Sequence, residues 1–249
     1  EVSKDASGNV TGSVTEVTTN NITTSSGQET PVITVKPEAL AINSAAGSTG
    51  ASAVNPMDIM VTVPEENIIN ELQKAEVNAV SVNIVIPKSV NDNQAVGIIS
   101  VTIKKEAVEA ARQLSKNLEV TVREEAGAVE AVWSLDGQTM RDVTGQSTDL
   151  NLGVHIAPVQ SEDPVAVTVK PPVMEGGHDN GLVIAITASG TLLTSAKLTV
   201  PATNQTGITI GSTVILYQFD PVEGILSRVS ENVYTVDING NITIDVPAG

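Results

Sequence analysis

The 249-residue chain has no cysteine, and this absence excludes three kinds of chemistry at once. Without thiols the chain can form no disulfide, no thiolate metal site and no cysteine nucleophile. Histidine is nearly as scarce, since His155 and His178 are the only two. Any catalytic triad or histidine-based metal centre would therefore have to use one of these two side chains.

Three short motifs that mark common enzyme classes are missing as well. The chain contains no Gly-x-Ser-x-Gly, which aims a nucleophilic serine from a strained turn. It also lacks the phosphate-binding Gly-x-x-x-x-Gly-Lys and the dinucleotide-binding Gly-x-Gly-x-x-Gly. We therefore predict that the protein is not an enzyme, with no catalytic residue and no cofactor.

Basic residues are few relative to acidic ones, and long apolar runs are absent. The 13 Lys and Arg against 29 Asp and Glu give a net charge of −16, which repels the phosphates of nucleic acids. No stretch reaches the roughly 18 to 20 consecutive apolar residues that a membrane helix requires. We expect no nucleic-acid partner and no membrane insertion by this chain.

The stretch from Val77 to Glu125 carries the clearest structural pattern. Apolar residues alternate with polar ones along residues 80–86, 99–103 and 118–122, and this period of two predicts strands with one buried face. Between the last two runs, Ala107, Val108, Ala111 and Leu114 follow the spacing of one helix face. The pattern predicts strand, strand, short helix, strand.

A similar unit precedes this one. Residues 57–63 predict a strand that passes into a helix at Pro64, Glu65 and Glu66, because proline is tolerated in a first turn and acidic residues favour that end. Residues 61–66 match residues 101–106 in pattern, which indicates an internal duplication of about 40 residues.

The remaining pattern predicts further strands and turns. Trp133 alternates with Ala131 and Leu135 up to the hairpin-turn dipeptide Asp136-Gly137, and we expect it in the core. Strands follow at 150–156, 165–169, 182–187, 197–200, 214–219, 233–238 and 242–246. The predicted fold is mostly β, with antiparallel sheets in two β-sandwich-like domains, the first with two short helices.

Composition suggests where the predicted domains begin and end. Residues 1–50 are rich in Thr, Ser, Asn and Gly and are predicted to form an arm or linker with edge strands, of which residues 32–35 are the most credible. Two prolines and two acids in 158–164 predict a domain boundary. The predicted domains are 51–160, with the two helices, and 161–249, an antiparallel sandwich.

Two groups of residues are candidates for binding. His178, Asp179 and Asn180 lie on one glycine-flanked loop that could hold a metal, although a hairpin loop explains the same residues. Tyr217 and Phe219 share one face of a predicted strand, which is the minimum for a sugar-binding platform, although the sequence favours core packing for them. His155 is predicted to lie on a solvated strand face.

Oxygen-bearing side chains near the end of the chain superficially follow a calcium-loop spacing. They are Asp237, Asn239, Asn241 and Asp245. The glycine of this segment, Gly240, stands at the fourth position instead of the sixth that an EF-hand requires. The sequence therefore favours an Asn-Gly turn at this place.

Three segments resemble modules of large surface proteins of Gram-positive bacteria, of the type found beside S-layer-homology modules. They are residues 217–244, which include Tyr217-Gln218-Phe219-Asp220, the helix-strand unit from Glu106 to Val122, and the leader from Asp5 to Thr11. The resemblance implies a secreted or wall-attached β-rich ectodomain. This chain has no wall-anchoring module or sorting motif of its own.

We therefore expect a non-catalytic, extracellular or cell-surface module with an adhesion or spacer role. Its partner would be a glycan or a host or cell-wall protein. The alternative is a carbohydrate-active protein, either a glycan-binding module or a glycosidase, that uses a cleft between the domains. A glycosidase would need two carboxyl groups roughly 5 to 10 Å apart at the base of such a cleft.

Overall fold

The computed structural model describes residues 3–4, 10–11, 14–23, 29–37, 57–86, 96–125, 129–140, 146–158, 182–189, 196–203, 208–215, 217–220, 225–228 and 233–246. These residues form mainly strands, with two short helices, which confirms the predicted mostly β fold. The helices are α1 (Glu65–Leu72) and α2 (Lys105–Leu114). Neither is long and apolar enough to cross a membrane.

In the first half of the chain, five of the described strands precede α1, two lie between the helices and two follow α2. They are β1 (Ser3–Lys4), β2 (Val10–Thr11), β3 (Val14–Thr23), β4 (Glu29–Pro37), β5 (Met57–Thr62), β6 (Ala79–Ile86), β7 (Val96–Ile103), β8 (Asn117–Glu124) and β9 (Val129–Leu135). The second half adds β10 (Leu150–Pro158), β11 (Leu182–Ser189), β12 (Ala196–Pro201), β13 (Thr213–Val214), β14 (Tyr217–Asp220), β15 (Ile225–Arg228), β16 (Tyr234–Thr235) and β17 (Asn241–Val246).

Most of these strands belong to two sheets. Sheet 1 has the order β1-β2-β5-β7-β10-β11, and sheet 2 has the order β17-β12-β9-β8-β6-β4-β3. Two small ribbons, β13 with β16 and β14 with β15, complete the described pairing. Each sheet is mixed, since antiparallel pairs flank parallel pairs at its centre.

One parallel pair in each sheet comes from the duplicated unit, and the pairs of β2 with β5 and of β4 with β6 are parallel as well. In sheet 1, Val61 of β5 lies opposite Val101 of β7, its equivalent 40 residues later. In sheet 2, Val82 of β6 lies opposite Val120 of β8, 38 residues later. Each unit thus runs from sheet 1 through a helix to sheet 2, and the two units stack side by side, with α1 packed against α2. The predicted repeat of strand, helix and strand is confirmed.

Side chains from distant segments hold the ends of both helices. Pro64 and Lys104, which precede the helices, offer no side-chain cap. Asp149 instead accepts hydrogen bonds from the Lys105 N–H at 2.8 Å and from Lys104 Nζ at 3.0 Å, so it supplies the first turn of α2 with an acceptor. These same two donors, the backbone N–H first, lower the pKa of Asp149. At the other end of α1, Lys116 Nζ donates to the carbonyls of Leu72 and Lys74, each at 2.6 Å.

The core lies between the two sheets, and its side chains are aligned across the strands. One inward row of sheet 2 passes through six paired strands, and its members are nearly or completely buried. The row is Ile33, Val82, Val120, Trp133, Leu198 and Ile244. Trp133 lies in the middle of this row, as the alternation predicted, and is completely buried.

The predicted domain limits can be compared with this arrangement. Strands β11 and β12 lie beyond the predicted boundary, yet they pair with β10 and β9 from before it, and β17 joins the same sheet by pairing with β12. Residues 159–181, which include most of the predicted boundary and the predicted strand at 165–169, lie outside the described residues. The division into 51–160 and 161–249 stays a prediction. Within the predicted arm, β4 contributes buried Ile33 and Val35 to the core.

Replacing Trp133 tests whether the inward row determines stability. Trp133→Ala leaves a large cavity between the sheets, and we expect it to lower the free energy of unfolding by about 3–5 kcal/mol. Trp133→Phe fills part of that space and removes the indole N–H, which is buried without a hydrogen-bond partner in the described structure, so its effect is smaller. Urea denaturation followed by far-ultraviolet circular dichroism measures both.

Val132→Ala is the matched control, because the half-buried Val132 lies next to Trp133 and points to the opposite side of β9. We expect a loss below about 1 kcal/mol. Equal effects of Trp133→Ala and Val132→Ala would contradict the assignment of the buried face.

Glu109 on α2 gives the fold a predicted pH dependence. Hydrogen bonds from Arg112 and then Ser147 lower the pKa of Glu109 to about 2. Since the folded-state pKa is depressed, the contribution of this carboxylate is present above about pH 4.5 and is lost as the pH falls towards about 2. We expect Glu109→Gln to lower the free energy of unfolding at pH 7 by at most about 1 kcal/mol, because the pair is partly exposed.

The difference between Glu109→Gln and the unchanged protein should shrink as the pH falls and vanish near pH 2. Urea denaturation at several pH values measures this difference. Glu76→Gln, at an exposed position after α1, serves as the control and should show no comparable narrowing. A pH-independent difference for Glu109→Gln would contradict the assigned hydrogen bonds.

Candidate functional site: the polar face of sheet 2

The outward side of sheet 2 carries two rows of mainly polar side chains. Because residues directly opposite each other on paired strands share a face, the pairing aligns one outward residue from each of the seven strands. The first row is Thr18, Thr34, Asn83, Thr121, Val132, Thr199 and Thr243. The second is Asn20, Val32, Ser81, Glu119, Ser134, Lys197 and Asp245. We call these two rows the polar face.

All fourteen side chains of the polar face are exposed or half-buried. Six spacings of about 4.8 Å between adjacent strands give each row a length of about 29 Å. In the neighbouring row, Val85 points to the same side but is 2% exposed, so the face is covered at this position of β6. The open area is therefore a band that crosses the strands.

Hydrogen bonds and charges of both signs are distributed along the band. Thr199 and Thr243 share a hydrogen bond of 2.8 Å between their hydroxyls, and Ser81 Oγ donates to Glu119 at 3.3 Å. Lys197 lies opposite Asp245 on the neighbouring strand, so a positive side chain stands beside a negative one. The face thus offers hydroxyl donors and acceptors along its length, with few apolar groups.

The structure locates only some of the residues predicted to bind ligands. His178, Asp179 and Asn180 lie outside the described residues, so the proposed loop site stays a prediction. Tyr217 and Phe219 lie on β14, as predicted, opposite Arg228 and Leu226 of β15. Tyr217 is half-buried, and the use of this strand as a sugar platform stays a prediction.

His155 lies on β10 and is half-buried opposite Ala185 of β11. Its alternation with Val154, which is buried, indicates that it points away from the space between the sheets. Within the described ranges, no three His, Asp or Glu side chains lie close enough together to hold a metal ion.

The segment whose oxygen-bearing side chains follow a calcium-loop spacing forms a turn, as the sequence favours. Asp237 Oδ1 accepts hydrogen bonds from the backbone N–H groups of Asn239 at 2.8 Å and Asn241 at 2.9 Å. Gly240 closes the turn with a φ of +81°, where glycine is preferred. Asp245 lies instead on β17 opposite Lys197, within the polar face. The carboxylate of Asp237 therefore stabilises its own turn.

A shallow surface cavity of about 550 Å³ adjoins this turn. Ile208, Ile210 and Ile238 form its apolar part, and Ile238 is 84% exposed at the tip of the turn. Its polar lining comes from Thr203, Thr209 and Asn239. This combination of exposed isoleucines and few polar groups gives no indication of a particular ligand.

Comparison with protein-family models, with curated proteins and with solved structures finds no match to this chain. The assignment of a site therefore depends on the residues and geometry described above.

The turn at Gly240 can be tested with a double-mutant cycle. A Cβ on Gly240 would lie 2.4 Å from Thr203 Oγ1, whereas a Cβ on Gly211, at a similar φ of +82°, would have no atom within 4 Å. We expect Gly211→Ala to destabilise the fold by about 1 kcal/mol through backbone strain alone. Gly240→Ala should destabilise it by about 1 kcal/mol more.

Adding Thr203→Ala to Gly240→Ala should recover most of that extra loss, because it removes the clashing hydroxyl and methyl groups. Thr203→Ala alone provides the fourth corner of the cycle, and urea denaturation measures all four proteins. Equal stabilities of Gly240→Ala and Gly211→Ala would show that the turn and Thr203 are not in contact.

Proposed function

We propose that the protein is a non-catalytic interaction or structural module at the surface of a Gram-positive bacterium, and that the polar face of sheet 2 is its contact surface. The observation that carries this proposal is the alignment of seven strands' outward side chains into two rows of mainly polar residues. The surface location rests on the resemblance of residues 217–244 and 106–122 to modules of such proteins.

An extended polar ligand suits this surface better than a small molecule does. A single hydrogen bond to an exposed hydroxyl contributes only about 0.5–1.5 kcal/mol to binding, so useful affinity requires many contacts at once. Hydroxyl groups recur along the band on Thr18, Thr34, Thr121 and Thr199. A polymer with regularly repeated hydroxyl groups, such as a glycan, can contact several of these positions together.

The negative net charge of the chain makes an anionic ligand unfavourable. A net charge of −16 repels anionic polymers, and the exposed Glu119 and Asp245 place two of those charges on the polar face. Lys197 lies opposite Asp245 and can pair with it, whereas Ser134 separates Lys197 from Glu119. A neutral glycan is therefore the favoured ligand, and a neutral stretch of a wall protein is compatible with the same surface.

The proposal is tested by binding to neutral wall polysaccharide and to an array of neutral oligosaccharides. Thr121→Arg places a long charged side chain at the centre of the first row, opposite Asn83 and Val132. We expect it to weaken binding at least about tenfold, measured by biolayer interferometry or co-sedimentation. Thr62→Arg, the same change at an exposed strand position of sheet 1, is the control and should leave binding unchanged.

Each outcome of these binding experiments distinguishes between a contact role, a spacer role and a carbohydrate-active protein. Loss of binding in Thr121→Arg alone supports a contact role of the polar face. Absence of binding by the unchanged protein to glycans and to matrix proteins supports a structural spacer. Release of new reducing ends from the polysaccharide would contradict the non-catalytic proposal and support the carbohydrate-active alternative. Binding that survives Thr121→Arg would remove the polar face from the proposal.

A further inference from the structure

Strand β3 lies at the end of sheet 2 and is exposed on both of its faces. Thr18 and Asn20 point to the outer side and are exposed. Thr19 lies opposite the buried Ile33, so it points to the inner side, yet it is exposed as well. Val17, on the same inner side, is half-buried and packs against the core, so the core covers β3 at Val17 and leaves it open at Thr19.

The composition of β3 favours pairing with another strand. Exposed sheet edges are commonly protected by lysine, by proline or by inward-pointing charges. Strand β3, from Val14 to Thr23, contains no lysine and no proline. Its one charged residue, Glu16, lies on the outer side. The register of β3 with β4 is irregular only at Val14/Glu16, so residues 16–22 form a regular edge strand. Ile22, near its end, is 57% exposed.

We propose that β3 is a dimerisation edge, at which two copies of this chain pair their β3 strands antiparallel about a two-fold axis at Thr18. Such an axis stands perpendicular to the sheet, so outward residues of one copy face outward residues of the other. Thr18 then faces Thr18, and Glu16 faces Asn20 of the partner copy. The result is one continuous sheet of fourteen strands, twice the seven of sheet 2.

The side chains select this partner and this register. Centred on Thr18, the pairing places each Glu16 carboxylate opposite an Asn20 amide that can donate to it, and this occurs twice per dimer. Centred one residue later, the pairing places the Glu16 carboxylate opposite the exposed, apolar Ile22, which offers it no hydrogen-bond donor beyond the Lys36 ammonium of its own copy, 3.9 Å away. Thr18 facing Thr18 is a favourable cross-strand pair. A second copy therefore complements β3 without bringing like charges opposite each other.

The net charge of −16 per chain opposes association, and this gives the dimer a characteristic salt dependence. Raising the ionic strength screens long-range repulsion, while backbone pairing is little affected. The interface is small, so we expect a weak dimer that is populated at about 100 µM and dissociated at about 1 µM. Its fraction should increase when the salt concentration rises from about 20 mM to about 300 mM.

The absence of cysteine makes a direct test possible. In an antiparallel pair, opposite Cα atoms lie about 4.5–5.5 Å apart, which is within the range that a disulfide spans. We expect Thr18→Cys to form a disulfide-linked dimer under mild oxidation, detected on a non-reducing gel. Thr235→Cys, at an exposed position of strand β16, is the matched control and should remain largely monomeric.

Charged substitutions at Thr18 distinguish specific pairing of two β3 strands from a disulfide that forms through nonspecific contact. Thr18→Lys and Thr18→Glu each place like charges opposite each other on the axis, so each alone should be monomeric by light scattering at about 100 µM. An equal mixture of the two should dimerise again. Circular dichroism checks that both variants keep the fold of the unchanged chain.

Three results would overturn the proposal. They are a monomer at all concentrations and salt conditions, failure of the Lys and Glu variants to restore dimerisation when mixed, and growth of the unchanged chain beyond dimers into open polymers. The last result would mean that β3 pairs with a different edge.

Discussion

The register between neighbouring strands is the constraint on which the rest of this structure depends. Along any strand, a shift of one residue would exchange the buried and exposed sets, because side chains alternate between the two faces. In sheet 2 the register carries one buried row from Ile33 through Trp133 to Ile244, across most of the chain. The same register aligns Thr34, Thr121 and Thr243 on the other side. The core and the polar face are therefore two results of a single arrangement.

The duplicated unit accounts for one parallel pair in each of the two mixed sheets. Parallel neighbours cannot be joined by a tight turn, so each unit needs a crossover, which here passes through the opposite sheet and a helix. Such short helices are marginal alone, and the residues before them provide no side-chain cap. Asp149 caps the start of α2 and Lys116 binds the last carbonyls of α1, each from outside the helix that it contacts. The antiparallel strands β9 and β10 then flank the parallel pairs and end the repeat.

Local patterns in the sequence predicted the elements well and their arrangement poorly. Alternation identified the buried residues of β6, β7 and β8, and Pro64 with two glutamates marked the start of α1, because these signals depend on near neighbours. Asp136-Gly137 forms a turn, but the strands on either side of it, β9 and β10, lie in different sheets instead of one hairpin. The pairing of β9 with β12 joins Trp133 to Leu198. This contact results from backbone hydrogen bonds between strands that are distant in the sequence, and no local sequence pattern predicts it.

The same is true of the candidate site: the sequence predicted its strands but not how they are arranged. Each strand displayed its outward threonines and serines in the sequence, but the polar face exists only because the strand order places them side by side. Pairing at β3 would act within the plane of the sheet, so it would leave the polar face open and extend its first row, which contains Thr18, across the two-fold axis. A polymer lying along those rows could contact both copies, and the second contact would then be intramolecular. Edge pairing and face binding would therefore reinforce each other, because they use different directions of the same sheet.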